Sequence, residues 1–202
     1  MSDQSSKKII DDLSFCVIDL ETTGGNHSKD KIIEVGMVKI KARKIVAEKS
    51  FLVNPEIHIP EFIQKLTNIS PKDVESEALI EDLIDEVLAF IEDDIIVAHN
   101  TSFDVPFLNG VLKRLDREPL ENKVICTNVM TKHLIPDILN SNLNYMSRLF
   151  SISHSKAHRA HDDAKATAKL LIIFLDIFIS KGLKKINQLY YPKNKFELDR
   201  LH

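Results

Sequence analysis

The sequence predicts an α/β domain in which helices flank a mixed five-stranded sheet. Three short runs rich in β-branched and apolar residues come first, and two more alternate with helical segments further along the chain. Leading strands followed by strand–helix alternation are typical of a mixed sheet with helices packed on it. The length of 202 residues suits a single compact domain.

The predicted strands are short and end at polar turns. The first strand has the sequence FCVIDL, an apolar run that should be buried. A basic segment at residues 41–44 separates the second and third strands, as in a β-hairpin. The five predicted strands cover residues 15–20, 31–40, 45–53, 95–98 and 124–126.

The predicted helices follow from apolar residues that recur every three or four positions. The clearest case is a set of six apolar side chains that share one helix face: Ile80, Leu83, Ile84, Val87, Leu88 and Ile91. The helical pattern begins at Pro60. The remaining predicted helices cover residues 102–115, 127–135, 143–150 and 162–181.

No repeat or long linker divides the chain, so we predict one domain at residues 13–182 between a polar tail at 1–12 and a second tail at 183–202. The first residues lack the apolar core of a secretory signal. The most apolar run, residues 170–179, is about half of the roughly 20 residues that a membrane span needs. The two cysteines lack zinc-site spacing and are expected as reduced thiols. These features predict a cytoplasmic protein without a membrane partner.

Charge is distributed unevenly along the chain. Residues 1–100 contain 11 Lys and Arg against 20 Asp and Glu, a net charge of −9, whereas residues 101–202 contain 16 against 10, a net charge of +6. A basic face that attracts phosphates is therefore compatible with the overall net charge of −3. Ordinary solvated surface charge explains the same asymmetry equally well.

Asp19 and Glu21 lie two positions apart at the end of the first predicted strand, so their carboxylates should project from the same face of the sheet. The carboxyl ends of central strands are where active sites of α/β sheets gather. Two carboxylates placed in this way can share a metal ion. Taken alone, an Asp-x-Glu pair at a strand end is more often a solvated turn.

Two more polar clusters occur at the starts of predicted helices. Residues 99–104 read HNTSFD and lead into one helix, and residues 158–163 read HRAHDD and lead into the last one. Taken separately, Asp104 and Asp163 can be acids that interact with a helix start, and His158 can be a surface histidine. No such separate interpretation explains the other clusters.

Taken in order, the three clusters resemble the motifs of the DEDDh 3′→5′ exonucleases, the family of the proofreading epsilon subunit of bacterial DNA polymerase III. The first motif matches residues 19–24, DLETTG, and the second matches residues 99–104. The third matches His158 followed, after four intervening residues, by Asp163. The resemblance extends from about Phe15 to about Leu175 and implies an RNase H-like fold.

The resemblance also implies a site for two divalent cations, Mg²⁺ or Mn²⁺, whose ligands are Asp19, Glu21, Asp104 and Asp163. Carboxylate oxygens suit these ions, and two ions about 4 Å apart can bind both the attacking and the leaving oxygen of a phosphodiester. By analogy, Asp19 bridges the ions and Asp104 supports the second site. Glu21 and Asp163 complete the first site.

His158 is the general base that the resemblance implies, since imidazole exchanges protons near neutral pH. His154 and His161 are alternatives, but only His158 has the four-residue gap to Asp163. The same spacing selects Asp163 over Asp162 as the metal ligand.

Residues 66–70, LTNIS, resemble the family's Leu-Thr-Gly-Ile segment, which lies beside the terminal nucleotide in relatives. Asn68 replaces the usual glycine, and asparagine tolerates left-handed backbone geometry, so we expect the turn to be kept. The expected substrate-binding residues are Thr22, Thr23, Thr67, His99, Asn100 and Phe103. Basic residues that can contact phosphates are Arg148, Lys156, Arg159 and Lys165.

These features predict an enzyme that removes nucleotides from single-stranded or frayed DNA 3′ ends and releases 5′-mononucleotides, in proofreading or repair. A DNA polymerase subunit is a candidate partner. One alternative is a 3′→5′ exoribonuclease of the oligoribonuclease or RNase T kind. The other is a module that binds nucleic acid or a polymerase without catalysis.

Overall fold

A computed structural model describes residues 10–154 and 157–182 of the chain. In this part, five strands form one sheet: β1 (Ser14–Thr22), β2 (Ile32–Lys41), β3 (Lys44–Leu52), β4 (Ile95–Ala98) and β5 (Val124–Cys126). Their order is β3-β2-β1-β4-β5, with β1 at the centre. Strands β1 to β3 pair in antiparallel fashion, whereas β4 and β5 join as parallel strands. The mixed five-stranded sheet predicted from the sequence is confirmed.

The helices of the described residues are α1 (Glu61–Thr67), α2 (Pro71–Val74), α3 (Ile80–Ile91), α4 (Thr101–Arg114), α5 (Thr127–Leu134), α6 (Leu143–Leu149) and α7 (Ala160–Ser180). Helix α1 ends at Thr67 and is capped by Asn68, whose φ of 56° and ψ of 34° are left-handed. The expectation that Asn68 would keep this turn is therefore confirmed.

The two faces of the sheet are covered by different helices. On one face, Phe15 and Val17 of β1 pack in the same core as Phe174 of α7. On the other face, Cys16 and Ile18 pack with α3 and α4. Since side chains alternate along a strand, the odd-numbered positions that follow Val17 also project toward the α7 side of the sheet.

The packed part of the chain begins earlier than residue 13. Residues Ile10–Asp12 form one 3₁₀ turn, and Ile10 is buried in the core on the α7 face. The remainder of the two predicted tails, residues 1–9 and 183–202, lies outside the described residues. Within the described ranges, none of the helices has the length and hydropathy of a bilayer span.

Both cysteines are free thiols, and their environments differ. Cys16 is fully buried, and burial together with repulsion from Asp94 raises the pKa of its thiol to about 12. Cys126 is half-buried.

Because the thiolate is the reactive form, we expect a disulfide reagent to modify Cys126 in the folded protein and Cys16 only after denaturation. The Cys126→Ser variant should give no native signal, and rapid labelling of that variant would contradict this expectation.

Candidate active site

The four acids expected as metal ligands come from three elements and converge at one edge of the sheet. Asp19 and Glu21 lie near the end of β1, while Asp104 and Asp163 lie in the first turns of α4 and α7. The carboxylate of Asp104 accepts a hydrogen bond from the backbone amide of Leu20 at 3.1 Å. Asp19 interacts electrostatically with each of the other three acids. The structure therefore brings all four together.

These carboxylates are poorly solvated and repel one another. Burial, followed by repulsion from Asp104, Asp163 and Glu21, raises the pKa of Asp19 well above its ordinary value. Burial and then Asp163 raise the pKa of Glu21 to about 8. Burial also raises the pKa of Asp104 to about 7, although backbone hydrogen bonds oppose the shift. The cluster thus has an excess of negative charge that bound cations would offset.

In the third motif, His158 and Asp163 lie beside Glu21. One possible ligand atom from each of these three residues lies within 4.8 Å of the other two. The backbone amide of His158 also donates to Oδ2 of Asp163 at 3.1 Å. Asp163 is among the acids that interact with Asp19, whereas Asp162 interacts with Arg159. This arrangement supports the choice of Asp163 that the spacing predicted.

The start of α7 lies directly on β2, beside the acidic cluster. Gly36 of β2 is the cross-strand partner of Asp19. A Cβ atom at Gly36 would lie 2.2 Å from the carbonyl carbon and oxygen of Ala160. The buried Glu34 accepts hydrogen bonds from Arg159 at 3.0 Å and from the backbone amide of Ala160 at 2.9 Å. These contacts hold the third motif next to β1.

The same contacts explain why α7 begins at Ala160, two residues before the predicted start. The first amides of a helix lack partners within the helix, and Glu34 supplies one for Ala160. Sequence reasoning missed both Glu34 and Gly36. A usable signal was present, because β2 reads IIEVGMVKIK, and a charged residue or a glycine within a buried strand needs a specific reason.

We expect Gly36→Ala to destabilise the protein by about 1–3 kcal/mol, the usual cost of forcing extra atoms into a packed site. The added methyl group must displace the backbone of Ala160. Urea denaturation followed by circular dichroism measures the change. Gly25→Ala is the matched control, since a Cβ atom there meets nothing within 4 Å. Equal denaturation midpoints for the two variants would contradict the close contact.

The three threonines expected to bind substrate are buried. Each hydroxyl is bonded to nearby backbone: Thr22 donates to the Gly24 carbonyl (2.6 Å), Thr23 accepts from the Lys31 amide (3.0 Å), and Thr67 donates to the Ile63 carbonyl (2.9 Å). Their role in substrate binding stays a prediction.

The expected substrate-binding residues of the second motif have different surroundings. His99 bonds Thr127 Oγ1 at 3.0 Å through Nδ1 and donates to the Ser141 carbonyl at 2.7 Å through Nε2. Burial lowers the pKa of His99. Asn100 is exposed at the start of α4, and the half-buried Phe103 packs 4.9 Å from a neighbouring ring of that helix. Contacts of these three residues with substrate likewise stay predictions.

Two of the basic residues expected near phosphates are paired with acids. Arg159 pairs with the buried acid of β2, and Lys165 pairs with an acid of β3 at 2.8 Å. Arg148 is exposed. Lys156 lies outside the described residues. Arg159 and Lys165 are therefore less available to a nucleic acid than the sequence indicated.

Comparison with known proteins identifies an exonuclease domain. The exonuclease family model RNase_T matches residues 16–171 of the chain. The DNA polymerase III PolC-type of Caldanaerobacter subterraneus subsp. tengcongensis is 39% identical over 185 residues, which are 92% of this chain and 13% of that protein. The 3′-5′ exonuclease DinG of Staphylococcus aureus (strain MRSA252) is 31% identical over 92% of this chain and 21% of its own length. The chain thus spans a small part of these relatives.

The fold also matches a solved structure. Exonuclease X in complex with 5′ overhanging duplex DNA superimposes with a TM-score of 0.67 and 27% sequence identity. The match covers 84% of this chain and 93% of the other. It agrees with the RNase H-like fold expected from the three motifs.

Proposed function

This chain belongs to the exonuclease family that the RNase_T model describes, and we propose that it removes nucleotides one at a time from DNA 3′ ends, releasing 5′-mononucleotides. The observation that carries this proposal is the convergence of four acids from three elements. Ligand atoms of Glu21 and Asp163 lie within 4.8 Å of each other, and Asp104 bonds the amide of Leu20, which lies between Asp19 and Glu21 in β1. A role in proofreading or repair, association with a DNA polymerase and a cytoplasmic location belong to the same proposal.

Two divalent cations fit the chemistry of this cluster. Its donors are carboxylate oxygens, which suit Mg²⁺ and Mn²⁺. Burial, and then repulsion from neighbouring acids, raises the pKa values of Asp19 and Glu21, and bound cations would offset both effects. In our proposal Asp19 would contact both ions, Glu21 and Asp163 would complete one site, and Asp104 would support the other. When bound, such ions would stabilise charge on the attacking and leaving oxygens of the phosphodiester.

We assign the general base to His158. His158 is half-buried, and one of its ring nitrogens lies within 4.8 Å of carboxylate oxygens of Glu21 and Asp163. The two alternative histidines are bonded to other side chains, because the buried His154 bonds Asp163 and His161 bonds an acid of β3 at 2.9 Å. In this role His158 accepts a proton from the attacking water and is oriented by its own backbone bond to Asp163.

DNA is the preferred substrate in this proposal because Exonuclease X, at 27% identity, was solved with overhanging duplex DNA. The PolC-type relative is a DNA polymerase by name, which points the same way. RNA is the competing substrate, since the acidic cluster acts on a phosphodiester that both polymers share. Single-stranded or frayed 3′ ends are favoured, because cleavage at an end needs an accessible terminal nucleotide.

The test is a digestion assay on 5′-labelled oligonucleotides: single-stranded, paired and mismatched DNA, and RNA of the same sequence, each with Mg²⁺ or Mn²⁺. We expect stepwise shortening from the 3′ end that EDTA stops. Faster digestion of RNA than of matched DNA would favour the exoribonuclease. Binding of strands with every 3′ end left intact would favour a non-catalytic module.

A further inference from the structure

His154 is a buried histidine that contacts Asp163 of the acidic cluster. Only 3% of its side chain is exposed. Its Nε2 atom forms a hydrogen bond with Oδ1 of Asp163, while the amide of His158 donates to Oδ2. Each oxygen of the Asp163 carboxylate therefore has one partner from the protein.

The segment that carries His154 is fixed to the core. Ile152 lies just beyond the end of α6, and its amide donates to the carbonyl of Ser147 in that helix at 2.7 Å. The side chain of Ile152 packs in the same core as Phe174 of α7. A donor anchored in this way can restrain a side chain that would otherwise rotate.

The second ring nitrogen of His154 shows that packing alone does not account for this residue. Nδ1 is buried, and no hydrogen-bond partner for it occurs among the described residues. A buried polar atom without a partner is unfavourable, so an aliphatic side chain would suit this pocket better. The bond from Nε2 to Asp163 is the feature that an aliphatic side chain could not reproduce.

We infer that His154 is a positioning residue that orients the Asp163 carboxylate toward Glu21 and a bound cation. This inference rests on the proposed function. Partners behind a metal ligand commonly change metal affinity by about 10- to 100-fold when they are removed. His154 itself does not reach the substrate in this role, because its ring is enclosed by protein.

The experiment compares His154→Leu, His154→Gln and His154→Asn with the unchanged protein. Calorimetric titration with Mn²⁺ alone measures binding, and the Mn²⁺ concentration for half-maximal digestion is measured in parallel. We expect His154→Leu to weaken Mn²⁺ binding by about 10- to 100-fold and to raise the half-saturating concentration similarly, with a smaller change in turnover at saturation. His154→Gln should restore most of the affinity, because its amide can donate from nearly the position of Nε2.

Asparagine is too short to reach Asp163, so His154→Asn should bind Mn²⁺ as weakly as His154→Leu. His161→Leu is the control, since His161 lies in the same turn of α7 as Asp163 but bonds a side chain of β3. Melting temperatures identify any variant that fails to fold, and the Gln and Asn pair decides the question if the Leu variant does not fold.

Two results would overturn the inference. The first is that His154→Leu binds Mn²⁺ within twofold of the unchanged protein, with His154→Asn taking its place if the Leu variant does not fold. The second is that His154→Gln binds Mn²⁺ as weakly as His154→Leu or His154→Asn. Failure of the proposed function looks different. In that case the unchanged protein itself would neither bind Mn²⁺ nor shorten any 3′ end.

Discussion

Asp19→Ala should abolish 3′-end digestion, with a loss of at least about 10³-fold. Asp19 is buried and interacts with each of the other three acids, and in the proposed function it would contact both cations. Stabilisation of the reacting charge by such ions is worth several kcal/mol, and each ~1.4 kcal/mol changes the rate about tenfold. Initial rates on labelled single-stranded DNA at saturating Mn²⁺ measure the effect.

A loss of folding would mimic this result, but the structure separates the two. Burial and repulsion disfavour the ionised Asp19 carboxylate. Removing its charge therefore removes an unfavourable electrostatic contribution to the stability of the metal-free protein. The isosteric Asp19→Asn variant should therefore melt in EDTA at or above the temperature of the unchanged protein while being equally inactive. Substantial activity in Asp19→Asn would remove the basis for the proposed site.

Asp163→Asn tests a proposed metal ligand, and Asp162→Asn is its matched control. The two positions are adjacent in the first turn of α7, so helix-start effects are similar for both. We expect Asp163→Asn to be inactive and Asp162→Asn to retain near-normal rates. The reverse pattern would show that the ligand is displaced by one residue from its expected position.

His158→Ala should lower turnover by about 10²- to 10⁴-fold, the usual contribution of a general base. The bond to Asp163 comes from the backbone amide of His158, so alanine keeps it and the variant isolates the imidazole. Single-turnover rates at saturating Mn²⁺, with Mn²⁺ affinity measured separately, distinguish loss of the base from loss of a ligand.

His161→Ala is the comparison for this variant and should change the rate little, because its ring bonds a side chain of β3. A loss of less than about tenfold in His158→Ala would assign the proton transfer to another group. A large loss of Mn²⁺ affinity in the same variant would make His158 a ligand.

Much of the fold could be predicted because local patterns determine it. The apolar repeat at residues 80–91 predicted a helix there, which the structure shows as α3, and the hairpin of β2 and β3 followed from two strand-like stretches around a basic segment. Family membership followed from three motifs, and the match to the exonuclease model confirms it. These signals lie within short stretches of sequence.

Other features depend on contacts between distant parts of the chain. Glu34 bonds Arg159 from 125 positions away, and no periodicity encodes that pairing. The sequence around Ile10 is that of a polar tail, and its burial depends on a core shared with the distant helix α7. The sequence indicates His154 only as a rival base, since its bond to Asp163 depends on how the segment after α6 is folded.

The contact between Gly36 and Ala160 also makes the proposed cation site depend on two distant parts of the chain. Asp163 reaches the acids of β1 only when the start of α7 lies over Gly36. A chain truncated before α7 lacks Asp163, so under the proposed function we expect it neither to bind both cations nor to shorten a 3′ end.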